Sequence, residues 1–332
     1  MKLAIAGLDH FHIHGFLKEA MAVKETQLVG LYDSVPEVLK QNVEKYKVKG
    51  YDNFDDMLNN SGADVIVTAA INNEKADIII KSLEKGLPVI ADKPLVTTTE
   101  EFFKVKYVYE NTKNAKLYMM LTERFNPPVY TAKKYIEQGN IGKVVNMISI
   151  RPHKLNLETR PFWFFKKDLY GGLMNDLGVH DMDVFRWLAD CEIDRVQFCS
   201  QGNLGYPQFT DFCDHSEASV LMANGSTAYV RLDWLTPKAW PTHGDCRFII
   251  IGTEGQLEVF TYDNKLLFFN NDTPPMEVPT ESRPFTLTED IYANIKDPSH
   301  KMVISTDDVF KSTWASLKAQ EAADSDLGGY KV

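Results

Sequence analysis

Asp176, His180 and Asp183 lie four and three residues apart, a spacing that returns to one face of an α-helix. Met174, Leu177, Val184, Phe185 and Leu188 gather on another face, so the stretch from Tyr170 to Leu188 reads as one two-sided helix. A solvated polar face is usually rich in Lys and Glu; this one carries two Asp and a His. Such a trio handles protons, because a carboxylate orients the imidazole and the imidazole gives or takes a proton near neutral pH. A buried helix whose polar groups satisfy one another would use the same residues. Gly171 and Gly172, just ahead, let another segment or a ligand come close to the helix start.

Three other stretches carry groups that do chemistry. Asp92-Lys93-Pro94-Leu95 places a lysine just before a proline that fixes the chain direction. If the lysine ends a strand, it points where it can polarise a substrate oxygen or stabilise developing negative charge, in place of the usual solvated role. Arg160-Pro161-Phe162-Trp163-Phe164-Phe165 sets four aromatics beside an arginine. Arg160 and Trp163 there suit a sugar-like or carboxylated ligand, although a loop tucked onto a core has the same composition. His10, His12 and His14 invite a metal reading. In a turn that opens a helix they point apart, and no Cys or Glu completes a set nearby, so no metal is expected.

The elements that must position these groups alternate along the first third. Buried strands are expected at Lys2–Ala6, Gln27–Tyr32, 64–70, 87–91 and 115–121, with helical spacing between them. Strict alternation gives a parallel sheet covered on both faces, with ligands beyond the carboxyl ends of its strands. Gly7, Leu8, His10, Phe11, Asp33, Ala70, Asp92 and Lys93 fall at or near those ends and are the candidate cofactor contacts. Asp33 ends the second strand, where a carboxylate suits the two ribose hydroxyls of NAD and repels the extra phosphate of NADP. A turn-forming Asp would also stand there. A dinucleotide fingerprint reads G-x-G-x-x-G; here the turn is Gly7-Leu8-Asp9-His10-Phe11-His12, with the first glycine alone in place. A carboxylate about 4 Å from a phosphate costs about 4 kcal/mol at an effective dielectric near 20. A helix dipole offsets about 0.3–1 kcal/mol of that. NAD in its usual pose therefore requires Asp9 to turn away, or to pair with a cation such as His10, His12 or His14.

The totals bound the class. A chain of 332 residues with 44% hydrophobic and 25% charged residues is an ordinary globular protein with room for two domains. A net charge of −10 without a basic stripe excludes nucleic acid as the expected partner. Cys191, Cys199, Cys213 and Cys246 form no CxxC pair, which argues against a disulfide framework and leaves reduced thiols in a cytoplasmic setting as the expectation. The apolar run before Asp9 is too short for a signal peptide, and no segment reaches the roughly 18 apolar residues of a membrane span.

Beyond the first third, a helix is expected at 127–138 and a turn at Gly139-Asn140-Ile141-Gly142. Strands follow at 143–151, 195–201, 214–222, 227–234, 246–252, 256–262 and 265–269, with Asn224-Gly225 as a hairpin turn. They describe a largely antiparallel sheet with helices on one face. Ser305-Thr306-Asp307-Asp308 opens a last helix as a capping box, Asp replacing the usual Glu, and this helix at 306–322 packs back on the body. The expected fold class is α/β plus α+β: a Rossmann-type dinucleotide-binding domain at 1–122, then an α+β substrate and oligomerisation domain at 123–332.

Taken together, these motifs resemble the glucose–fructose oxidoreductase / inositol dehydrogenase (Gfo/Idh/MocA) family. Asp92-Lys93-Pro94-Leu95 is similar to its EKP motif, with Asp for Glu, and the run from Gly171 to Asp183 to its GG-x3-D-x-G-x-H-x-x-D helix. Arg124-Phe125-Asn126-Pro127 is similar to its R-F-x-P segment, and Ile251-Gly252-Thr253-Glu254-Gly255-Gln256-Leu257 to its I-G-T-x-G-x-L turn. The resemblance implies Lys93, Asp176 and His180 as catalytic residues, with the histidine accepting the proton of a substrate hydroxyl. It implies a cis bond between Lys93 and Pro94; with the residues read above, the candidate substrate set is Lys93, Arg124, Arg160, Trp163, Asp176 and His180. It also implies a homodimer or homotetramer through the C-terminal sheet. This sequence departs from the family pattern at the missing fingerprint glycines, at Ala70-Ile71 and Lys75 in place of T-P and a His, and at Thr122 in place of an Asn.

The expected function is an NAD-dependent dehydrogenase acting on a secondary alcohol of a sugar- or cyclitol-like polyol. The altered first turn motivates the alternatives: a non-redox ligand sensor or regulator on the same scaffold, or a redox-neutral glycosidase or epimerase that holds NAD tightly.

Overall fold

The computed structural model describes residues 1–325. In its first unit, β1 (Lys2–Ala6) carries Leu3, Ala4, Ile5 and Ala6 without solvent exposure, which only a strand covered on both faces allows. Its neighbours are β2 (Gln27–Tyr32), β3 (Gly50–Tyr51), β4 (Val65–Thr68), β5 (Val89–Ala91) and β6 (Leu117–Met119), all parallel. The order β3-β2-β1-β4-β5-β6 is that of a doubly wound sheet whose direction of winding reverses beside β1. Helices His12–Ala22, Pro36–Tyr46, Phe54–Asn60, Lys75–Glu84 and Thr99–Asn111 make the crossovers. β3 and helix Phe54–Asn60 are absent from the sequence expectation, since two residues of strand and a seven-residue helix carry too little periodicity to register. They matter to the core: Tyr51, Phe54 and Met57 pack with Ala4, Ile66 and Ala70.

The second unit is built on eight strands. They are β7 (Val144–Pro152), β8 (Ile193–Gly202), β9 (His215–Met222), β10 (Thr227–Asp233), β11 (Arg247–Gly252), β12 (Gly255–Phe260), β13 (Lys265–Asn270) and β14 (Met276–Val278). Their order is β14-β13-β12-β11-β7-β10-β9-β8; β7 runs parallel to β10 and every other pair is antiparallel. Strict alternation of burial marks one covered face: Met147, Ser149 and Arg151 are buried while Ile148 and Ile150 between them are partly exposed. Helices Pro127–Glu137 and Gly178–Ala189 pack on this sheet.

The units are divided differently from the expected 1–122 and 123–332. Asp168–Gly171 and Phe285–Phe310 join Met1–Leu121, while Thr122–Lys167, Gly172–Pro284 and the described residues from Lys311 onward form the other unit. The reason for the return of Phe285–Phe310 is hydrogen bonding. Lys116 Nζ donates to the carbonyls of Asn294 and Ile295 at 2.9 and 2.8 Å, closing the end of helix Leu287–Lys296, and the Thr288 amide donates to Glu19 at 3.0 Å. Nothing in the composition of 285–310 announces those partners. Residues 326–332 of the expected second domain lie outside the described ones.

The last helix runs Thr306–Asp324, and its start is the expected capping box: the Asp308 amide donates to Ser305 Oγ at 3.1 Å and the Ser305 amide to Asp308 Oδ2 at 3.0 Å. Replacing Ser305 by Ala removes one half of it. The expected result is a loss of about 1 kcal/mol of stability, read as a lower midpoint of urea unfolding with an unchanged slope.

Candidate active site

The turn after β1 is held by the ends of its two neighbouring strands. The Gly7 amide donates to the Tyr32 carbonyl at 2.8 Å, the Ala69 amide to the Gly7 carbonyl at 3.2 Å, and the His10 amide to the Ala69 carbonyl at 3.0 Å. Gly7 has φ +91°, and a Cβ there would stand 2.2 Å from that of Ala70, so this close approach of β1 and β4 needs glycine. Asp33, buried at the end of β2, accepts from the Leu8 amide at 2.6 Å and the Val35 amide at 2.8 Å. Burial raises its pKa, against the hydrogen bonds from Val35 and Leu8. The rings of His10, His12 and His14, the cations offered above for Asp9, face Asp92, Asp92 and the Tyr46 hydroxyl.

Asp92 is the partner of two of them. It follows β5 without solvent exposure. His10 Nδ1 lies 3.0 Å from its Oδ2, and His12 Nδ1 lies 3.1 Å from its Oδ1. The Lys93 amide donates to Oδ1 at 2.9 Å. His14 Nδ1 faces the Tyr46 hydroxyl at 2.6 Å. The expectation that the three histidines point apart therefore fails for His10 and His12, whose ring centroids are 4.1 Å apart. The turn bends both toward a carboxylate that arrives 80 residues later in the chain, a distance over which local spacing carries no information. Phe11, between them, is exposed and stacks on the His10 ring at 5.0 Å.

The peptide bond between Lys93 and Pro94 is cis, as the resemblance implies, and Lys93 is 3% exposed. Lys75 is fully buried, its Nζ donating to the Asp92 carbonyl at 3.1 Å. Asn72 is also fully buried; its Nδ2 donates to the Tyr170 carbonyl at 2.8 Å, while its Oδ1 and that of Asn73 find no hydrogen-bond partner. Lys75 stands where the family pattern has a His, and neither it nor Asn72 is among the candidate site residues expected from the sequence. The clue was a charged residue heading a helix otherwise marked by buried Ala76, Ile79 and Leu83.

This edge fits a dinucleotide in three respects. Gly7 allows close backbone approach. Asp33 keeps carboxylate lone pairs beyond those its amide donors use. Asn72 and Asn73 offer buried acceptors at the end of β4, suited to an amide such as a carboxamide NH₂.

In the second unit, Gly172 has φ +95° and a Cβ there would stand 2.3 Å from the Gln320 side chain, whose Oε1 accepts from the Met174 amide at 2.9 Å. The expected single helix is two: Leu173–Asp176 and Gly178–Ala189, broken at Leu177. Leu177 keeps helical dihedrals, but the His180 amide donates to the Leu177 carbonyl at 3.2 Å, three residues back instead of four. Asp176 is fully buried, one turn ahead of His180, which is 8% exposed. Asp183 does not share their role. Its carboxylate takes Arg124 in a bidentate pair at 2.8 and 2.6 Å, and the guanidinium also lies 5.6 Å from the Trp187 ring. This corrects the reading of Arg124 as a substrate arm; it is 3% exposed and engaged by the helix.

Asp181, on the opposite side of the same helix, takes Arg151 at 2.9 and 3.1 Å and Ser149 at 2.5 Å, with Glu123 closing the group 2.9 Å from Arg151. Burial opposes the Arg151 charge, but Asp181 and Glu123 raise its pKa well above the ordinary value. Arg160 lies 4.5 Å over Phe164 and 4.7 Å over Trp234, its Nε donating to the Leu155 carbonyl at 2.7 Å. Trp163, Phe164 and Phe165 are buried, Phe165 stacking on Phe209 at 4.0 Å. The aromatic run is therefore mainly core, with Phe162 exposed.

Two family models match the chain. One, an oxidoreductase family with an NAD-binding Rossmann fold, matches residues 1–120; the other, the GFO/IDH/MocA C-terminal domain, matches residues 129–258. The chain is 26% identical to the scyllo-inositol 2-dehydrogenase (NAD(+)) of Bacillus subtilis over 269 residues, 79% of this chain and 74% of that protein. It is 28% identical to the levoglucosan dehydrogenase of Pseudarthrobacter phenanthrenivorans over 224 residues, 60% of this chain and 56% of that protein. A crystal structure from Erwinia carotovora atroseptica, assigned as an oxidoreductase, matches with a TM-score of 0.89 at 26% identity, over 97% of this chain and 98% of that one.

The reassignment of Arg124 has a measurable consequence. Arg124→Met leaves Asp183 buried and unpaired, so the expected loss is about 3–5 kcal/mol of stability in urea unfolding. A variant that keeps wild-type stability and loses only substrate affinity would restore the substrate-arm reading.

Proposed function

This chain belongs to the Gfo/Idh/MocA family of oxidoreductases, and from that premise we propose that it transfers a hydride between the carbinol carbon of a sugar- or cyclitol-like secondary alcohol and NAD. The single observation that carries the reading is that the chain keeps both chemical sets, a buried lysine before a proline just after β5 and, in the second unit, a buried aspartate one turn ahead of a histidine. The dehydrogenases similar to this chain act, by their names, on inositols and levoglucosan, all polyhydroxylated rings. A polyol or sugar-like ring is accordingly the substrate class assigned here. A pure sensor has no use for a proton acceptor, so the non-redox alternative is not favoured.

NAD supplies the acceptor for the hydride. Gly7, Asp33, Ala70 and Asn72 are the residues that hold it, and Asp33 selects it over NADP by charge. Lys93 Nζ donates a hydrogen bond to the substrate oxygen and stabilises the negative charge that develops there. An imidazole nitrogen of His180 takes the hydroxyl proton, and Asp176 holds the substrate and the ring in register. Burial of Lys93, Asp176 and His180 strengthens each of these interactions by excluding water.

The uncovered face of the eight-stranded sheet offers Ile148, Ile150, Ile249 and Ile251, each partly exposed, and serves as the contact between copies in a dimer or tetramer. Among the described residues no helix is long and apolar enough to cross a membrane, and the cytoplasm is the assigned compartment.

Quenching of protein fluorescence by NADH tests the cofactor half; saturable binding is expected, and no response at millimolar NADH overturns it. With inositols and anhydrosugars screened as substrates, His180→Asn and Lys93→Ala are each expected to lower kcat by about 10²–10⁴ while NADH still binds. For the assembly, light scattering after size exclusion is expected to give a dimer or tetramer mass, and Ile249→Arg to shift it to the monomer. A wild-type monomer rejects the sheet contact.

A further inference from the structure

We infer that His10, His12 and Asp92 form a binding site for one divalent first-row transition ion of the zinc class, a role beyond the hydride transfer proposed above. His10 Nδ1 and His12 Nδ1 stand 3.0 and 3.1 Å from the two oxygens of Asp92, and all three donor atoms lie within 4.8 Å of one another. A tetrahedral ion with bonds of about 2.0–2.1 Å needs its ligand atoms about 3.3 Å apart, so small side-chain rotations suffice. The backbone already holds the three in place: the His10 amide is bound to the Ala69 carbonyl, His12 opens its helix, and Asp92 ends β5. The Lys93 amide on Asp92 Oδ1, at 2.9 Å, is the kind of outer-shell bond that orients a ligating carboxylate.

The His12 side chain is 35% exposed, which gives an ion a way in and leaves room for water to complete its coordination.

The adjoining cations decide which ion. Lys75 Nζ lies on the Asp92 carbonyl at 3.1 Å, and Lys93 acts electrostatically on His10. Their positive charge works against ions held by charge alone, and Mg²⁺ and Ca²⁺ want six or more oxygens that this cluster does not supply. Two imidazoles and one carboxylate select Zn²⁺, Co²⁺ or Fe²⁺.

The test is metal binding by the full chain without NAD, so that its outcome is separate from that of the hydride-transfer reading. Chelator-stripped protein is titrated with Zn²⁺ in competition with a chromophoric chelator, and with Co²⁺ by its visible d–d absorption. One equivalent per chain is expected, with no competition from millimolar Mg²⁺. His12→Ala removes a direct ligand from a partly exposed position and is expected to weaken Zn²⁺ by at least the roughly 100-fold that the loss of an outer-shell partner can cost. His12→Gln, closer in volume, should do the same if the alanine variant fails to fold. Absence of stoichiometric Zn²⁺ binding in the wild type overturns the site. So does wild-type affinity in a folded His12 variant, which would leave the histidines as hydrogen-bond donors to Asp92 and nothing more.

Discussion

A carboxylate with no access to water is the constraint on which the ligand edge of the first unit depends. Removing the Asp92 charge from solvent costs several kcal/mol unless its oxygens are met. Oδ1 is met by the His12 ring and the Lys93 amide, and the His10 ring stands 3.0 Å from Oδ2, so groups from two strand ends surround the charge. β4 lies between β1 and β5 in the sheet, so Asp92 ties the first turn to a strand that is not its neighbour. The same residue sets the backbone of Lys93, because the amide it binds is that lysine's own. The direction of the amine and the shape of the first turn therefore share one anchor.

The second unit solves a comparable problem with arginine. Asp181 and Asp183 are two residues apart on a helix, which turns them about 200° from each other, so they cannot share a partner. One meets Arg151 from β7 and the other meets Arg124. Both pairs are bidentate and buried, which fixes helix Gly178–Ala189 in rotation as well as in position. Helix Gly178–Ala189, with His180 in its first turn, is thereby held by charges on two sides.

What was legible in the sequence follows the range of the forces involved. β1 and β2 were read at their ends because each is a short apolar run closed by a turn residue, Gly7 or Asp33, and the Ser305 cap was read because its two bonds join residues three apart. The trio of Asp176, His180 and Asp183 was half right: periodicity places three polar groups on one face, but it cannot say that Arg124 claims one of them from 59 residues away. The histidine turn shows the same limit. Its spacing gave no hint that Asp92 would draw two rings together, because sheet order, and not chain order, brings β5 to that edge. The return of Phe285–Phe310 was missed for the same reason, its partners Lys116 and Glu19 lying far earlier in the chain.

The charge at the first turn also has a local resolution. Two carboxyl groups, Asp9 and Asp33, stand where the chemistry of a dinucleotide brings phosphates and ribose. Ionised together and without a phosphate nearby, they would already repel each other at about 4 kcal/mol for a 4 Å separation and an effective dielectric near 20. Burial of Asp33 pushes its carboxyl up and so favours the protonated form, while the Val35 and Leu8 amides that donate to it pull the other way. Each degree by which burial prevails lowers the charge that an approaching phosphate meets at this turn, so the carboxylate that replaces a fingerprint glycine at Asp9 acts beside one whose own charge is already opposed by its burial.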